Sequence, residues 1–105
     1  MMLFLKPWES LLATTAIQFF EDELLREIPP SHALYGRKFQ AIAKNSTCDD
    51  VLYQLDDGTF SQVQLTFTKA PPELPVWPRH DEFKNLADWI IAVMVPRHID
   101  HFGLW

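Results

Sequence analysis

The sequence has one cysteine, three glycines and no long hydrophobic run. A lone Cys48 cannot form a disulfide within the chain, so other interactions must hold the fold together. Three glycines are too few for a glycine-rich loop that cradles phosphates, which excludes the common nucleotide-binding motifs. The longest apolar run, Trp89 to Val95, is far shorter than the roughly 20 residues that span a bilayer. We therefore expect that the chain is not an integral membrane protein.

Positive charge is also scarce in this chain. Nine Lys and Arg residues stand against fourteen Asp and Glu residues, which gives a formal net charge of −5. Because phosphate groups and anionic lipids are bound by Lys and Arg, this balance predicts no nucleic-acid partner and no membrane partner. Residues 1–6 lack the basic and apolar regions of a secretory signal, so we expect a cytoplasmic location.

The sequence does contain enough apolar material for one hydrophobic core. Hydrophobic residues make up 48% of the 105 positions, and eight Phe, four Trp and two Tyr are among them. This length is typical of one domain. We therefore predict a single α+β domain over residues 1–105, with flexible ends at 1–6 and 97–105.

A first helix is predicted from Pro7 to about Ile28, where two consecutive prolines prevent its continuation. At roughly 100° per residue, most of its apolar side chains share one face. That face comprises Ala13, Ala16, Ile17, Phe20, Leu24 and Ile28. Three further apolar residues lie off it: Leu11, Phe19 and Leu25.

After this helix the sequence predicts a three- to four-stranded antiparallel sheet and a C-terminal helix, in the order α-β-β-β-(β)-α. The strands are placed at residues 37–44, 51–55, 59–68 and 79–83, the last as a short edge strand. Polar and apolar residues alternate in the first strand except at Ile42, and this alternation suits a sheet with one wet face.

The turn between residues 51–55 and 59–68 allows two registers. A two-residue loop of Asp57 and Gly58 would mix polar and apolar residues on both faces. A three-residue loop from Asp56 to Gly58, with Gly58 in the left-handed region and a bulge, instead collects the apolar residues on one face. That face comprises Val51, Tyr53, Leu55, Val63, Leu65 and Phe67. We therefore predict the three-residue loop.

Several short motifs occur together in the C-terminal two-thirds of the chain. They are Asp49-Asp50-Val51-Leu52-Tyr53, Asp57-Gly58, Val63-Gln64-Leu65-Thr66-Phe67, Trp77-Pro78, Phe83 and Trp89. In this combination the chain resembles a group of small uncharacterised bacterial proteins with D-D-V-L-F, D-G, V-x-L-T-W and W-P motifs and a later Phe and Trp. Phe67 stands where those proteins usually have Trp. The resemblance implies a bacterial single-domain protein and carries over no active-site residue.

Two sets of residues are candidate metal ligands. The first is a set of four carboxylates: Asp49, Asp50, Asp56 and Asp57. The second combines the histidines with the cysteine: His32, His80, His98, His101 and Cys48. The carboxylates lack the ligand spacing of a calcium loop, and the histidines lack the paired clusters of a structural zinc site. We therefore interpret Asp56 and Asp57 as turn formers, Asp49 and Asp50 as a solvated strand entry, and the histidines of the C-terminal tail as surface residues. We predict no metal and no cofactor.

Cys48 is the candidate thiol nucleophile. No catalytic motif surrounds it, and the negative charge of the neighbouring Asp49 would raise the pKa of the thiol. The serines have no nucleophile-elbow glycines around them. The sequence therefore predicts no catalytic residue.

A second helix is predicted from Leu86 to Val95, with Asn85 as its N-cap and Pro96 as its end. Only Asp88 is polar within it, so we expect more than one of its sides to be covered. The side predicted to face the sheet comprises Leu86, Trp89, Ile90 and Val93. The other side, together with the tail, forms a candidate interaction surface: Ile91, Val95, Phe102, Leu104 and Trp105.

Two classes of function remain. The first is a non-catalytic protein-binding module, such as an inhibitor, an immunity-type protein or a regulatory protein, that binds a protein partner or forms a homodimer. The alternative is a small-molecule-binding protein or enzyme with a pocket between sheet and helix, lined by Tyr53, Trp77, Trp89 and a histidine. The absence of a catalytic motif favours the first class.

Overall fold

The structure is a computed structural model that describes residues 4–67 and 78–103. A five-stranded antiparallel sheet is packed between helices on its two faces. The strands are β1 (Trp8–Ser10), β2 (Phe39–Asn45), β3 (Asp50–Leu55), β4 (Phe60–Gln64) and β5 (His80–Phe83). The helical segments are α1 (Thr14–Glu27), α2 (Leu86–Trp89), a π-helical turn (Ile90–Met94) and α3 (Val95–Phe102). The predicted α+β class is confirmed, and the predicted order is corrected, because a strand precedes the first helix.

The start of the first helix is Thr14, so the predicted start at Pro7 is wrong. Residues Trp8–Ser10 instead form an edge strand that pairs with β2, and the Trp8 side chain is fully buried. Burying a large apolar side chain stabilises a fold by roughly 2–3 kcal/mol, whereas helix propensity differs by only a few tenths per residue. Tertiary packing therefore decides the conformation of this segment.

The β3–β4 hairpin has the predicted three-residue loop. Val51 lies opposite Val63, the Leu55 N–H donates to the Thr59 carbonyl at 2.8 Å, and the Gly58 N–H donates to the Leu55 carbonyl at 3.0 Å. Gly58 has a φ of 86°, a left-handed conformation that glycine adopts without steric cost. Both the loop length and the conformation of Gly58 are confirmed.

The irregularity predicted at Ile42 is a β-bulge. The pairing of β2 with β3 shifts between Ala41 and Ala43, so Ile42 has no directly opposed partner. Ala41 and Ala43 consequently face opposite sides of the sheet and belong to different hydrophobic clusters. The extra residue explains why strict alternation fails in this strand.

Both faces of the sheet are covered, so the expectation of one wet face is wrong. The face under α1 is built from the predicted set of hairpin residues together with helix residues: Ile17, Phe20, Leu24, Ile28, Val51, Tyr53, Leu55, Val63 and Leu65. The opposite face packs against the C-terminal helical segment: Trp8, Ala43, Leu52, Phe60, Trp89 and Met94. Phe67 does not continue the first face, because β4 ends at Gln64 and Phe67 is partly exposed.

The C-terminal helical segment continues through Pro96 to Phe102, so the prediction that Pro96 ends it is wrong. Asn85 is the predicted N-cap, with its side chain accepting from the Asp88 N–H at 2.9 Å. The π-helical turn ends with the Val95 N–H bonded to the Ile90 carbonyl. This places Pro96 in the first turn of α3, where a missing N–H is tolerated.

Candidate functional site

The outward side of the C-terminal helical segment exposes three apolar side chains. Ile91 is 72% exposed, Val95 38% and Phe102 52%. They are four and seven residues apart, a spacing that keeps them on one side of a helix. Of the residues named for this surface from the sequence, Leu104 and Trp105 lie outside the described residues.

Trp89 fixes which side of this segment faces the sheet. Its side chain is fully buried, and its Nε1–H donates to Gln62 Oε1 at 2.9 Å. Its ring makes edge-to-face contacts with Trp8 at 4.9 Å and with Phe4 at 5.8 Å. The other residues predicted for this side, Leu86, Ile90 and Val93, pack into the same cluster. Because Trp89 is held by packing and by a hydrogen bond, the opposite side of the segment is directed outward.

The N-terminal segment runs beside this exposed side. The Lys6 carbonyl lies 2.8 Å from His98 Nδ1, and the His98 ring lies 5.0 Å from the ring of Phe102. Leu5 is itself 38% exposed. This segment therefore borders the apolar surface and leaves Ile91 uncovered by the described part of the chain.

A polar cleft of about 490 Å³ lies between the end of the sheet and α3. Its lining comes from the β2–β3 connection, β4, α3 and Pro7: Pro7, Asn45, Thr47, Cys48, Asp50, Gln64, Arg97, Asp100 and His101. Charges of both signs meet in it, because Arg97 is cationic and Asp50 and Asp100 are anionic. Such a cleft suits a small polar molecule with groups of both signs.

Cys48 lines this cleft but is not activated as a nucleophile. Partial burial raises the pKa of its thiol, and the charge of Asp50 adds to the rise, while a backbone hydrogen bond at Asp50 and the cation of Lys44 oppose it. The thiol is therefore protonated at neutral pH. The predicted direction is confirmed, with Asp50 rather than Asp49 as the carboxylate that acts.

The histidines fall into two separate groups. His32 is buried, accepts from the Leu34 N–H through Nδ1 at 3.1 Å, and meets the Pro78 carbonyl through Nε2 at 2.9 Å. Its ring lies 4.8 Å from that of His80, whereas His98 and His101 lie on α3. His32 is thus a core residue. Among residues 4–67 and 78–103, no three His, Cys, Asp or Glu side chains are grouped so as to hold a metal.

Asp56 and Asp57 have the turn role that was predicted for them. Asp57 Oδ1 accepts from both the N–H and the hydroxyl of Thr59, and these bonds lower the pKa of Asp57. Arg37 Nη2 lies 3.3 Å from Asp56 Oδ1 and 3.1 Å from Asp57 Oδ2. Their oxygens are therefore engaged in shaping the hairpin.

The aromatic residues suggested for a pocket between sheet and helix lie in two different cores. Tyr53 is fully buried under α1 and donates its hydroxyl to the Phe20 carbonyl at 2.7 Å. Burial, together with the negative charges of nearby glutamates, raises the pKa of Tyr53 well above its usual value. Trp89 is buried on the opposite face, and Trp77 lies outside the described residues. Tyr53 and Trp89 therefore do not line one open pocket.

The sequence reasoning missed the buried carboxylate of Glu27, which is only 1% exposed. Helical spacing could have found it, because Glu27 follows Phe20 by seven residues and Leu24 by three and so shares their apolar face. A carboxylate on such a face must find hydrogen-bond donors inside the protein.

No family model, curated protein or solved structure matches this chain. The resemblance to small bacterial proteins therefore stays a prediction. Within the part of the chain that the structure describes, no helix combines the length and the apolar character needed to cross a bilayer.

Proposed function

We propose that this chain is a non-catalytic protein-binding module that forms a homodimer through Ile91, Val95 and Phe102. The observation that carries the proposal is the 72% exposure of Ile91 only two residues from the fully buried Trp89. Fully burying a branched apolar side chain is worth roughly 1.5–3 kcal/mol. A second copy that covers Ile91 and its neighbours would recover this stabilisation.

A twofold symmetric pair suits this surface, because the helical segment of one copy can pack against the same segment of the other. The firm anchoring of Trp89 keeps the surface in one orientation before association, which lowers the cost of ordering it. Leu104 and Trp105 are assigned to the same surface on their sequence positions. The proposed biological role is that of an inhibitor, an immunity-type protein or a regulatory protein.

Light scattering on the purified chain tests the proposal. We expect the wild type to have twice the 12.3 kDa mass of one chain at micromolar concentration, and Ile91→Glu to be a folded monomer. Leu12→Glu is the matched control, because Leu12 is 71% exposed and Ile91 72%, and it should remain a dimer. A monomeric wild type, or loss of the dimer in both variants, would contradict the proposal.

A second candidate function is the binding of a small polar molecule in the 490 Å³ cleft. This function is supported by the lining of the cleft, which contains Arg97 together with Asp50 and Asp100. Thermal-shift measurements with free amino acids as probes test it. If the cleft binds such molecules, at least one amino acid should raise the melting temperature of the wild type but not that of Arg97→Gln.

A further inference from the structure

The buried Glu27 joins the end of α1 to the chain that follows β4. Its Oε1 accepts from the N–H and from the hydroxyl of Thr66, both at 2.8 Å. Its Oε2 accepts from the N–H of Phe67 at 2.9 Å. Both oxygens of one carboxylate are thus bound to two consecutive residues that lie about forty positions further along the chain.

Phe67 is held in a conformation that a phenylalanine avoids. Its φ is 55°, and it is the one described residue other than glycine with a positive φ. A bulky residue in the left-handed region is strained and persists only where its surroundings enforce it. The ring gains little burial there, since it is 38% exposed and stacks at 6.3 Å on Phe19, which is 54% exposed.

We propose that Glu27 and Glu23 form a proton-controlled latch, in which the Glu27 carboxylate holds Phe67 in the left-handed conformation and so keeps its ring on Phe19. The latch is closed while Glu27 is ionised, because only the carboxylate offers acceptors to all three donors. It opens when Glu27 takes up a proton. Glu23, one helical turn earlier in α1, sets how firmly the latch is closed.

The titratable groups that interact with Glu27 within the described residues include Glu23 on α1 and Tyr53 on β3. Glu23 lies four residues before Glu27 on the same side of α1 and is paired with Arg26. Tyr53 stays neutral and contributes no competing charge.

The two carboxyls bind protons at different pH. Burial raises the pKa of Glu23, and its hydrogen bond with Glu27 adds to this rise. Burial alone would also raise the pKa of Glu27, but the hydrogen bonds from Glu23, Thr66 and Phe67 outweigh it and lower the pKa. As the pH falls, Glu23 is therefore protonated first and then donates to the Glu27 carboxylate.

The latch is tightest in the mildly acidic range between these two titrations. Above that range Glu23 is ionised and repels Glu27. Below it Glu27 is protonated and loses acceptor capacity towards Thr66 and Phe67. The expected pH dependence is thus a maximum with two flanks, each assigned to one carboxyl.

Amide hydrogen exchange followed by NMR on the full chain tests this inference. Protection of the Thr66 and Phe67 amides, corrected for intrinsic exchange, should pass through a maximum on the acidic side of neutrality. The Leu65 amide, which bonds to the Asp49 carbonyl at 3.0 Å, serves as the internal reference. A flat profile at Thr66 and Phe67 across the acidic range overturns the proposal.

Three variants separate the roles of the carboxyls. Glu23→Gln, which donates at every pH, should remove the fall in protection towards neutral pH and keep the fall at lower pH. Glu27→Gln should lower the protection of Phe67 by roughly 10- to 100-fold, as expected for the loss of a hydrogen bond to a charged group. Glu21→Gln is the matched control, because Glu21 accepts one backbone N–H from Ala41 at 3.0 Å, and it should keep the wild-type profile.

The wild-type profile and Glu23→Gln keep the test decisive even where Glu27→Gln fails to fold. A Glu23→Gln profile identical to that of the wild type overturns the coupling between the two carboxyls. A Glu21→Gln variant that loses the maximum overturns the assignment to Glu23 and Glu27.

Discussion

Replacing Gly58 by Val tests the hairpin at a position where the energetic cost comes from the backbone. A Cβ added at Gly58 meets no atom within 4 Å, so the substitution creates no clash. The φ of 86° remains, and holding a β-branched residue in this region costs about 1–3 kcal/mol. Restricting the unfolded chain recovers roughly 0.4–1 kcal/mol. We therefore expect a net loss of roughly 1–2 kcal/mol in the free energy of unfolding.

Urea denaturation followed by circular dichroism measures this loss. Gly58→Asn is the matched control, because asparagine tolerates the left-handed region through local hydrogen bonds, and its loss should be less than half that of Val. For a domain of this size, 1 kcal/mol corresponds to a fall of roughly 4–8 °C in melting temperature. Equal stability of Gly58→Val and the wild type, or equal losses for Val and Asn, would refute the backbone argument.

Three further predictions follow from the two cores and the histidines. Trp89→Phe should destabilise the fold by roughly 2 kcal/mol, because it removes the hydrogen bond to Gln62 and leaves space beside Trp8. A fall of less than about 0.5 kcal/mol in the free energy of unfolding, measured by urea denaturation, would contradict this prediction. Burial and the neighbouring His32 lower the pKa of His80 from its ordinary 6.5. The stabilising contribution of neutral His80 is therefore present above pH 6.5 and is lost as the pH falls through the lowered pKa. His80→Gln should flatten the free energy of unfolding against pH in this range, and an unchanged slope would argue against the prediction. A strong chelator should leave the melting temperature unchanged within about 5 °C, and a larger fall would indicate a structural metal.

The hairpin could be predicted because its evidence is local. Counting residues on each side of Gly58 gives one register that sorts Val51, Val63 and Leu65 onto a single face, and turn chemistry agrees with that register. The bulge at Ile42 left a visible break in the alternation for a similar reason. Where a short stretch of sequence carries both the pattern and the turn residue, the structure follows it.

The error at the start of the first helix has a non-local cause. Trp8 joins a strand because of partners near position 45 and position 89, and no neighbouring residue reveals that contact. The covered second face did leave a signal, since the unbroken apolar run Val51-Leu52-Tyr53 is typical of strands that are buried on both faces. The candidate surface was predictable only as a list of apolar positions, because exposure depends on how Trp89 is anchored.

Glu27 shows a different limit of the sequence. Its position on the apolar face of α1 could be calculated from helical spacing, but its acceptor role could not, since the donors at Thr66 and Phe67 belong to a distant segment. The positive φ of Phe67 is equally hidden, because phenylalanine gives no hint of a left-handed backbone.

The π-helical turn at Ile90–Met94 makes the length of this segment critical. A π turn holds one residue more than an α turn, so deleting one residue there would let it close as an α turn and leave α3 in nearly its present phase relative to Trp89. The Val95 N–H, which now bonds five residues back to the Ile90 carbonyl, would bond four residues back, and the following proline would lie in the interior of a regular α-helix, where its ring clashes with the preceding turn. The extra residue therefore allows a proline to lie within one continuous helical segment.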